Sequence, residues 1–283
     1  MNNHLASEPP FASTASSSGK AVAPADGGPI IDFRSVSYTV SGGQTLLKNL
    51  NLRVQRGETL VLLGRSGAGK TTAMKLINRL HDPSEGQVRV EGRPTSDWDA
   101  IALRRHTGYV IQETGLFPHY TVEQNIALVP QLERWPAERI AARVQELMAL
   151  VGLDAGKFLA RYPHQLSGGQ RQRIGLARAL AADPPILLMD EPFGALDPLT
   201  RSDIRREFLA LEQRLKKTVV LVTHDIGEAL ALGDRIALME DGELRGNYAP
   251  EEFLRATDPL AAAYAAQLEL PKRRGVENAE QAR

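Results

Sequence analysis

Cysteine is absent from the 283-residue chain, and that absence removes disulfide frameworks, thiolate metal sites and cysteine nucleophiles together. Nothing in the covalent chemistry calls for an oxidising compartment, so a cytoplasmic location is expected. An excess of one charge is missing too. Thirty-four lysines and arginines face thirty-four aspartates and glutamates, so no global basic field draws in nucleic acid, and none is expected as a partner. Long apolar runs are also lacking: Thr59–Leu63 and Val219–Val222 stop far short of the roughly 20 residues that cross a bilayer as a helix. Residues 1–29 contain one lysine, no arginine and no apolar core. They fit neither a secretory signal nor a transit peptide, and their Ser, Ala, Pro and Gly composition predicts a disordered tail.

From residue 30 the texture changes. Short β-rich runs over 31–40, 45–54 and 58–63 lead into a glycine-rich turn, and helical periods then alternate with strands. The pattern predicts a helix from Lys70 to about Leu80, strands at 87–90 and 108–112 and a helical stretch around 98–105, which together argue for an α/β core. Between about 115 and 165 strand patterns give way to helical spacing, as in Ile140, Val144, Leu147, Met148 and Val151, and a helical subdomain is expected there. Alternation resumes with helices at 168–181, 200–216 and 226–232 and strands at 186–189, 219–223 and 235–240. Asp241-Gly242 then turns a hairpin. One domain over 30–255 is expected, with 256–283 as a short extension read as a polar tail.

Gly64-Arg65-Ser66-Gly67-Ala68-Gly69-Lys70-Thr71, followed by Thr72, fits the phosphate-loop pattern G-x-x-x-x-G-K-[ST] and lies after an apolar strand and before a helix. Glycines let successive backbone N–H groups point at phosphate oxygens, and the helix adds its positive N-terminal end. In this arrangement Lys70 reaches the β- and γ-phosphates of a nucleotide and the Thr71 hydroxyl ligates Mg²⁺. Downstream, the apolar run Ile186–Met189 ends in Asp190-Glu191. Alternation along a strand gives the two carboxylates different tasks, Asp190 on Mg²⁺ and Glu191 as general base on the attacking water. Leu166-Ser167-Gly168-Gly169-Gln170 places a hydroxyl and glycines at the start of another helix, a second anion-binding end for which one nucleotide site has no use. The other histidines, His4, His81, His106, His119 and His164, have no ligand spacing, and no protein-only metal site is expected.

Leu166–Gln170 resembles the signature of the ATP-binding cassette family, and the family's other stations follow in order over roughly residues 30–255. The resemblance implies a P-loop cassette core with an N-terminal antiparallel β-subdomain and an inserted helical subdomain. It assigns Tyr38 to adenine stacking, Gln112 to sensing Mg²⁺ and the γ-phosphate, Ala195-Leu196-Asp197 to the loop that crosses to a partner cassette, and His224 to the γ-phosphate. It further implies that two cassettes pair head to tail. ATP on the phosphate loop of one is then covered by Ser167, Gly168, Gly169 and Gln170 of the other, and hydrolysis depends on closure.

With no membrane span of its own, such a cassette serves a separate membrane permease that docks against the helical subdomain near Gln112, with a substrate-binding protein as indirect partner. The family places it peripherally on the cytoplasmic face of the inner membrane. Residues 98–132 and 162–201, including Asn125–Pro130 and Ala179–Ile186, are similar to importers of glycine betaine, choline and related quaternary amines. Many of those relatives carry C-terminal regulatory domains, whereas 256–283 alone follows the cassette here. Intact Lys70, Glu191 and His224 argue against a subunit that binds ATP without turning it over.

Overall fold

The computed structural model describes residues 28–269 apart from 113, 114 and 195. The expected N-terminal tail, except for Gly28 and Pro29, lies outside the described residues, as do 270–283 of the extension and Ala195. Strands β1 (Ile31–Thr39) and β2 (Thr45–Val54) form an antiparallel pair. The central strand β3 (Thr59–Leu63) runs into the glycine loop and helix α1 (Lys70–Ile77). Strands β4 (Glu85–Val90) and β5 (Arg93–Pro94) follow, then α2 (Ala100–His106) and β6 (Thr107–Val110). Helices α3 (Val122–Leu132), α4 (Ala137–Leu150), α5 (Ala155–Phe158) and α6 (Gly168–Ala179) precede β7 (Ile186–Asp190). The remainder is α7 (Pro198–Leu215), β8 (Thr218–Thr223), α8 (Ile226–Leu232), β9 (Arg235–Glu240), β10 (Glu243–Tyr248), α9 (Pro250–Phe253) and α10 (Pro259–Ala265).

Two sheets carry these elements: a four-stranded antiparallel one ordered β2-β1-β4-β5, and a six-stranded one ordered β10-β9-β3-β8-β7-β6. The second is parallel from β9 to β6, with β10 antiparallel at its edge. Every residue of β3, β7 and β8 is buried. Strands covered on both faces read as unbroken apolar runs, which is why alternation was invisible in them. The strand period still sorts their side chains. Leu60, Leu62, Leu188, Val220 and Val222 face one core with Phe33, Val36, Met74 and Ile77. Val61, Leu63, Leu187, Met189 and Leu221 face a second with Ile126, Leu147, Ile174, Phe193 and Phe208. The helical region from α3 to α6 is thus sewn to the sheet through that second core.

Several expected boundaries move. Helix α1 stops at Ile77 rather than near Leu80, because Arg79 adopts a left-handed φ of 54° and the Leu80 and His81 N–H groups return to the Lys75 carbonyl. Strand β6 ends at Val110, so Gln112 stands in the loop beyond it. The strand near 87–90 belongs to the antiparallel sheet, paired with β1, and not to the α/β core. Within the extension expected from residue 256 as a polar tail, α10 buries Ala261 and Tyr264 and runs into a 3₁₀ turn over 266–269. No described helix is long and apolar enough to cross a membrane.

Candidate functional site

The site grows from the C-terminal ends of β3, β7 and β8, where a parallel sheet presents loops to one crevice. After β3 the chain turns through the glycine loop with Arg65, Ser66 and Gly67 exposed and Ala68 buried. Gly69 takes φ 94°, and a methyl group there would lie 2.8 Å from the Leu46 carbonyl oxygen and from Leu47 Cδ2. A side chain therefore fails on both conformation and space. The β9–β10 turn braces the loop, Gly242 N–H donating to the Ala68 carbonyl at 3.3 Å.

Lys70, the first residue of α1, is 5% exposed. Its Nζ donates to the Gly64 and Arg65 carbonyls at 2.7 and 2.9 Å, folding the ammonium back over the loop. Burial lowers its pKa while the charges of Glu191 and Asp190 oppose the shift. Beside it, Thr71 Oγ1 donates to Asp190 Oδ1 at 2.8 Å. Thr72 sits half-buried on the same first turn. Asp190 closes β7 and is buried, and burial raises its pKa against the opposing Thr71 hydrogen bond. On its other oxygen it meets the Tyr109 hydroxyl at 3.5 Å. Burial pushes that phenol up as well, then the Asp190 charge.

Glu191 leaves the strand with φ 43°. The left-handed residue, rather than strand alternation, parts the two carboxylates: Asp190 turns to Thr71 and Tyr109, and Glu191 turns to the open side. There Gln112 Nε2 donates to Glu191 Oε2 at 3.3 Å, and His224 Nδ1 stands 3.4 Å from Glu191 Oε1. Two residues named from separate stretches of sequence, Gln112 and His224, thus converge on the Glu191 carboxylate. A cleft of ≈ 450 Å³ runs along this side, between Arg65, Ser66, Glu191 and His224 on one wall and Tyr264 of α10 with Gln267 of the following turn on the other.

Tyr38, near the end of β1, is half-buried and stacks on His81 with ring centroids 5.0 Å apart and planes at 21°. Sequence reading gave His81 no role; its stacking follows from the α1 ending that the sequence did not reveal.

Ser167, Gly168, Gly169 and Gln170 are brought elsewhere. Ser167 caps α6, its Oγ accepting from Gln170 N–H at 3.2 Å, while Gln170 Oε1 accepts from Ser167 N–H at 2.9 Å. Gly168 and Gly169 pack on the Leu196 loop and α7, where a methyl group on Gly169 would come 2.8 Å from Thr200 Cγ2. Asp197 caps α7, and its hydrogen bond from Thr200 holds its carboxyl below the usual carboxylate range. Asn125, fully buried, ties down the turn before α3: its Oδ1 accepts from Phe117 N–H at 2.8 Å and its Nδ2 donates to three carbonyls, the shortest to Thr121 at 2.9 Å. Tyr109 and His81 are the contacts that sequence reasoning missed. Tyr109 was visible as a strand residue beside the sheet-end loops, but nothing local says that its hydroxyl reaches Asp190.

Among the described residues no cluster of three His, Asp or Glu could cage a metal. The Thr71 hydroxyl and the Asp190 carboxylate nevertheless make a hard-oxygen pair beside the phosphate loop. That donor set suits Mg²⁺, which keeps waters and phosphate oxygens in its shell rather than demanding a full protein cage.

Comparison with known proteins gives this geometry its relatives. The family model described as ABC transporter matches residues 47–194. The chain is 56% identical over 214 residues to the osmoprotectant import ATP-binding protein OsmV of Salmonella typhimurium, covering 75% of this chain and 56% of that protein. To the glycine betaine uptake system ATP-binding protein YehX of Escherichia coli it is 52% identical over 215 residues, covering 76% and 69%. It therefore spans little more than half the length of OsmV. Among solved structures, the dimeric post-hydrolysis state of the ATP-binding cassette MJ0796 bound to ADP and Pi superposes with a TM-score of 0.70 at 36% identity, covering 78% of this chain and 98% of that one. With its phosphate loop, paired strand-end carboxylates and capped Leu166–Gln170 segment in these places, the chain belongs to the ABC transporter family.

Proposed function

We propose that this chain is the ATP-hydrolysing subunit of an importer, coupling Mg-ATP binding and hydrolysis at a pair of cassettes to passage through a separate membrane permease. The cargo class is glycine betaine, choline or another quaternary amine, a reading supported by the likeness to OsmV and YehX. One observation carries the catalytic part: Glu191, set apart from Asp190 by its own backbone, lies within reach of both Gln112 and His224.

Each residue then has a task. Loop amides from Gly64 to Gly69 and the Lys70 ammonium hold the phosphates, with Thr72 behind them on α1. Thr71 and Asp190 would hold Mg²⁺, with Gln112, whose Nε2 donates to Glu191, as the further residue toward it. Bound Mg²⁺ neutralises phosphate charge. Glu191 takes the proton from the attacking water and His224 steadies it against the terminal phosphate. Tyr38 offers its ring to adenine. Ser167, Gly168, Gly169, Gln170 and Asp197 face a second copy, since their hydrogen bonds and packing run to α6 and α7 and not to the phosphate loop. Domain 30–255 with a helical insert at about 115–165 is the catalytic unit, attached peripherally at the cytoplasmic face.

The permease is assigned to a recess of ≈ 190 Å³ whose lining includes Arg105, Phe117, Leu128 and Val129 as well as Tyr109, the residue that touches Asp190. A substrate-binding protein joins through the permease.

Uptake of radiolabelled glycine betaine and choline decides the cargo. In cells lacking the gene uptake falls, and a wild-type copy restores it while a Lys70→Ala copy does not. Unchanged uptake overturns the cargo class. Purified chain without Mg²⁺-dependent ATP hydrolysis overturns the catalytic reading.

A further inference from the structure

Glu228 is 4% exposed, has no task in the site above, and lies one helical turn from His224. Its Oε2 accepts from Thr223 Oγ1 at 2.6 Å, and the same Thr223 Oγ1 accepts from Asp225 N–H at 3.0 Å. The hydroxyl of Thr223 on one side of His224 therefore holds the N–H of Asp225 on the other, and that hydroxyl donates to Glu228. Asp225 closes the ring by capping α8, its Oδ1 accepting from Glu228 N–H at 3.1 Å. His224 itself is 59% exposed in its side chain and meets Glu191 at 3.4 Å. An exposed imidazole with so loose a contact is aimed chiefly by its backbone, and this ring is what fixes that backbone.

Charge around Glu228 comes from two elements. Burial pushes its carboxyl above the ordinary range, and Asp225 adds to the shift; the Thr223 hydroxyl and, from α7, Arg201 and Arg205 pull it back. Arg201 in turn donates from Nη2 to the Leu196 carbonyl at 3.0 Å, holding the loop that leads to Asp197. Burying a carboxyl at 4% exposure is costly unless it is bonded, and the bond this one makes is to the Thr223 hydroxyl beneath the His224 turn.

We propose that Glu228 is a positioning residue for hydrolysis: through Thr223 it fixes the 223–225 turn and so aims His224 at the terminal phosphate. The inference rests on His224 acting there, as read above.

A double-mutant cycle in the purified full-length chain tests it, with steady-state Mg-ATP hydrolysis as the readout. Glu228→Ala lowers kcat about tenfold with KM within about twofold, because ground-state binding is left alone. Thr223→Val, which removes the hydroxyl without unmaking the strand, does the same and serves if Glu228→Ala fails to fold. Glu228→Gln, still able to accept from Thr223, recovers at least about a third of the wild-type rate. In a His224→Ala background neither Glu228→Ala nor Thr223→Val costs more than about twofold further, since the residue they act through is gone. Equal losses in both backgrounds, or a raised KM with unchanged kcat, overturn the proposal. Wild-type turnover by His224→Ala alone overturns the reading of His224 and the proposal with it, and the single variant tells the two failures apart.

Discussion

A carboxylate, an amide and an imidazole meet at Glu191, and each can be changed by a few atoms. Glu191→Gln keeps size and a hydrogen-bonding partner for Gln112 while removing the base, so ATP binding persists and hydrolysis collapses. On size-exclusion chromatography with Mg-ATP this variant is expected as a lasting dimer; rapid turnover by it would remove Glu191 from its role. Lys70→Ala withdraws the ammonium that spans the Gly64 and Arg65 carbonyls, and a loss of about 10²-fold or more in kcat is expected from one missing charge-stabilising donor. Tyr38→Ala removes a stacking platform of roughly 1–3 kcal/mol, raising the Kd for ATP by about 5- to 150-fold in a fluorescent-nucleotide titration. Most of the site was legible at this scale, because phosphate chemistry demands particular residues at fixed spacing: Lys70, Thr71, Asp190 and Glu191 were readable from local pattern. What was hidden depends on backbone dihedrals and distant contacts. The left-handed φ of Glu191 and the reach of Tyr109 to Asp190 have no local signature.

Among the elements, α6 and α7 meet where Gly169 leaves room for Thr200 and Ile204. Gly169→Ala puts a methyl group 2.8 Å from Thr200 Cγ2 and 3.2 Å from Ile204 Cδ1. Overpacking at such a seam costs about 1–3 kcal/mol, a fall in Tm of several degrees by calorimetry. Since Asp197 caps α7 by accepting from the Thr200 N–H, the same change displaces the loop expected to face a second copy. Helices α6 and α8 were readable from sequence, and the hydroxyl expected at the start of α6 proves to be half of a capping box between Ser167 and Gln170. The end of α1 was not, since Arg79 carries no glycine-like cue for its φ of 54°. Strand β4 was readable as a strand but not as a member of the antiparallel sheet, because residue pattern gives a strand's faces and not its neighbours.

On the scale of the whole molecule, α7 is tied to the base of the sheet by Glu212, which accepts from the Thr59 hydroxyl while Asp234 Oδ2 accepts from Thr59 N–H at 2.8 Å. Burial raises the Glu212 pKa, and the charge of Asp234 adds to it, against the Thr59 bond. A carboxyl whose folded-state pKa exceeds its unfolded value contributes stability below the unfolded pKa and loses it as pH rises through the folded one. Glu212→Gln, uncharged and still able to accept from Thr59, is therefore expected to be more stable than wild type at pH 7 and above, with the gap closing towards pH 4. Chemical denaturation at several pH values measures this, and a gap that widens in acid would contradict it. The two-sheet plan was anticipated through family resemblance; the docking of α10 on the cleft was not, since an alanine-rich segment carries little that distinguishes a wall from a tail. The order of the large sheet has one more consequence. Strand β3, which delivers the phosphate loop, is flanked by β8 and β9, drawn from the last quarter of the described chain. At ribosomal speeds of about 5–20 residues per second, the nascent loop waits roughly 10–35 s for those neighbours. Until then an apolar strand without partners is open to chaperones, and no competent nucleotide site exists on a partly made chain.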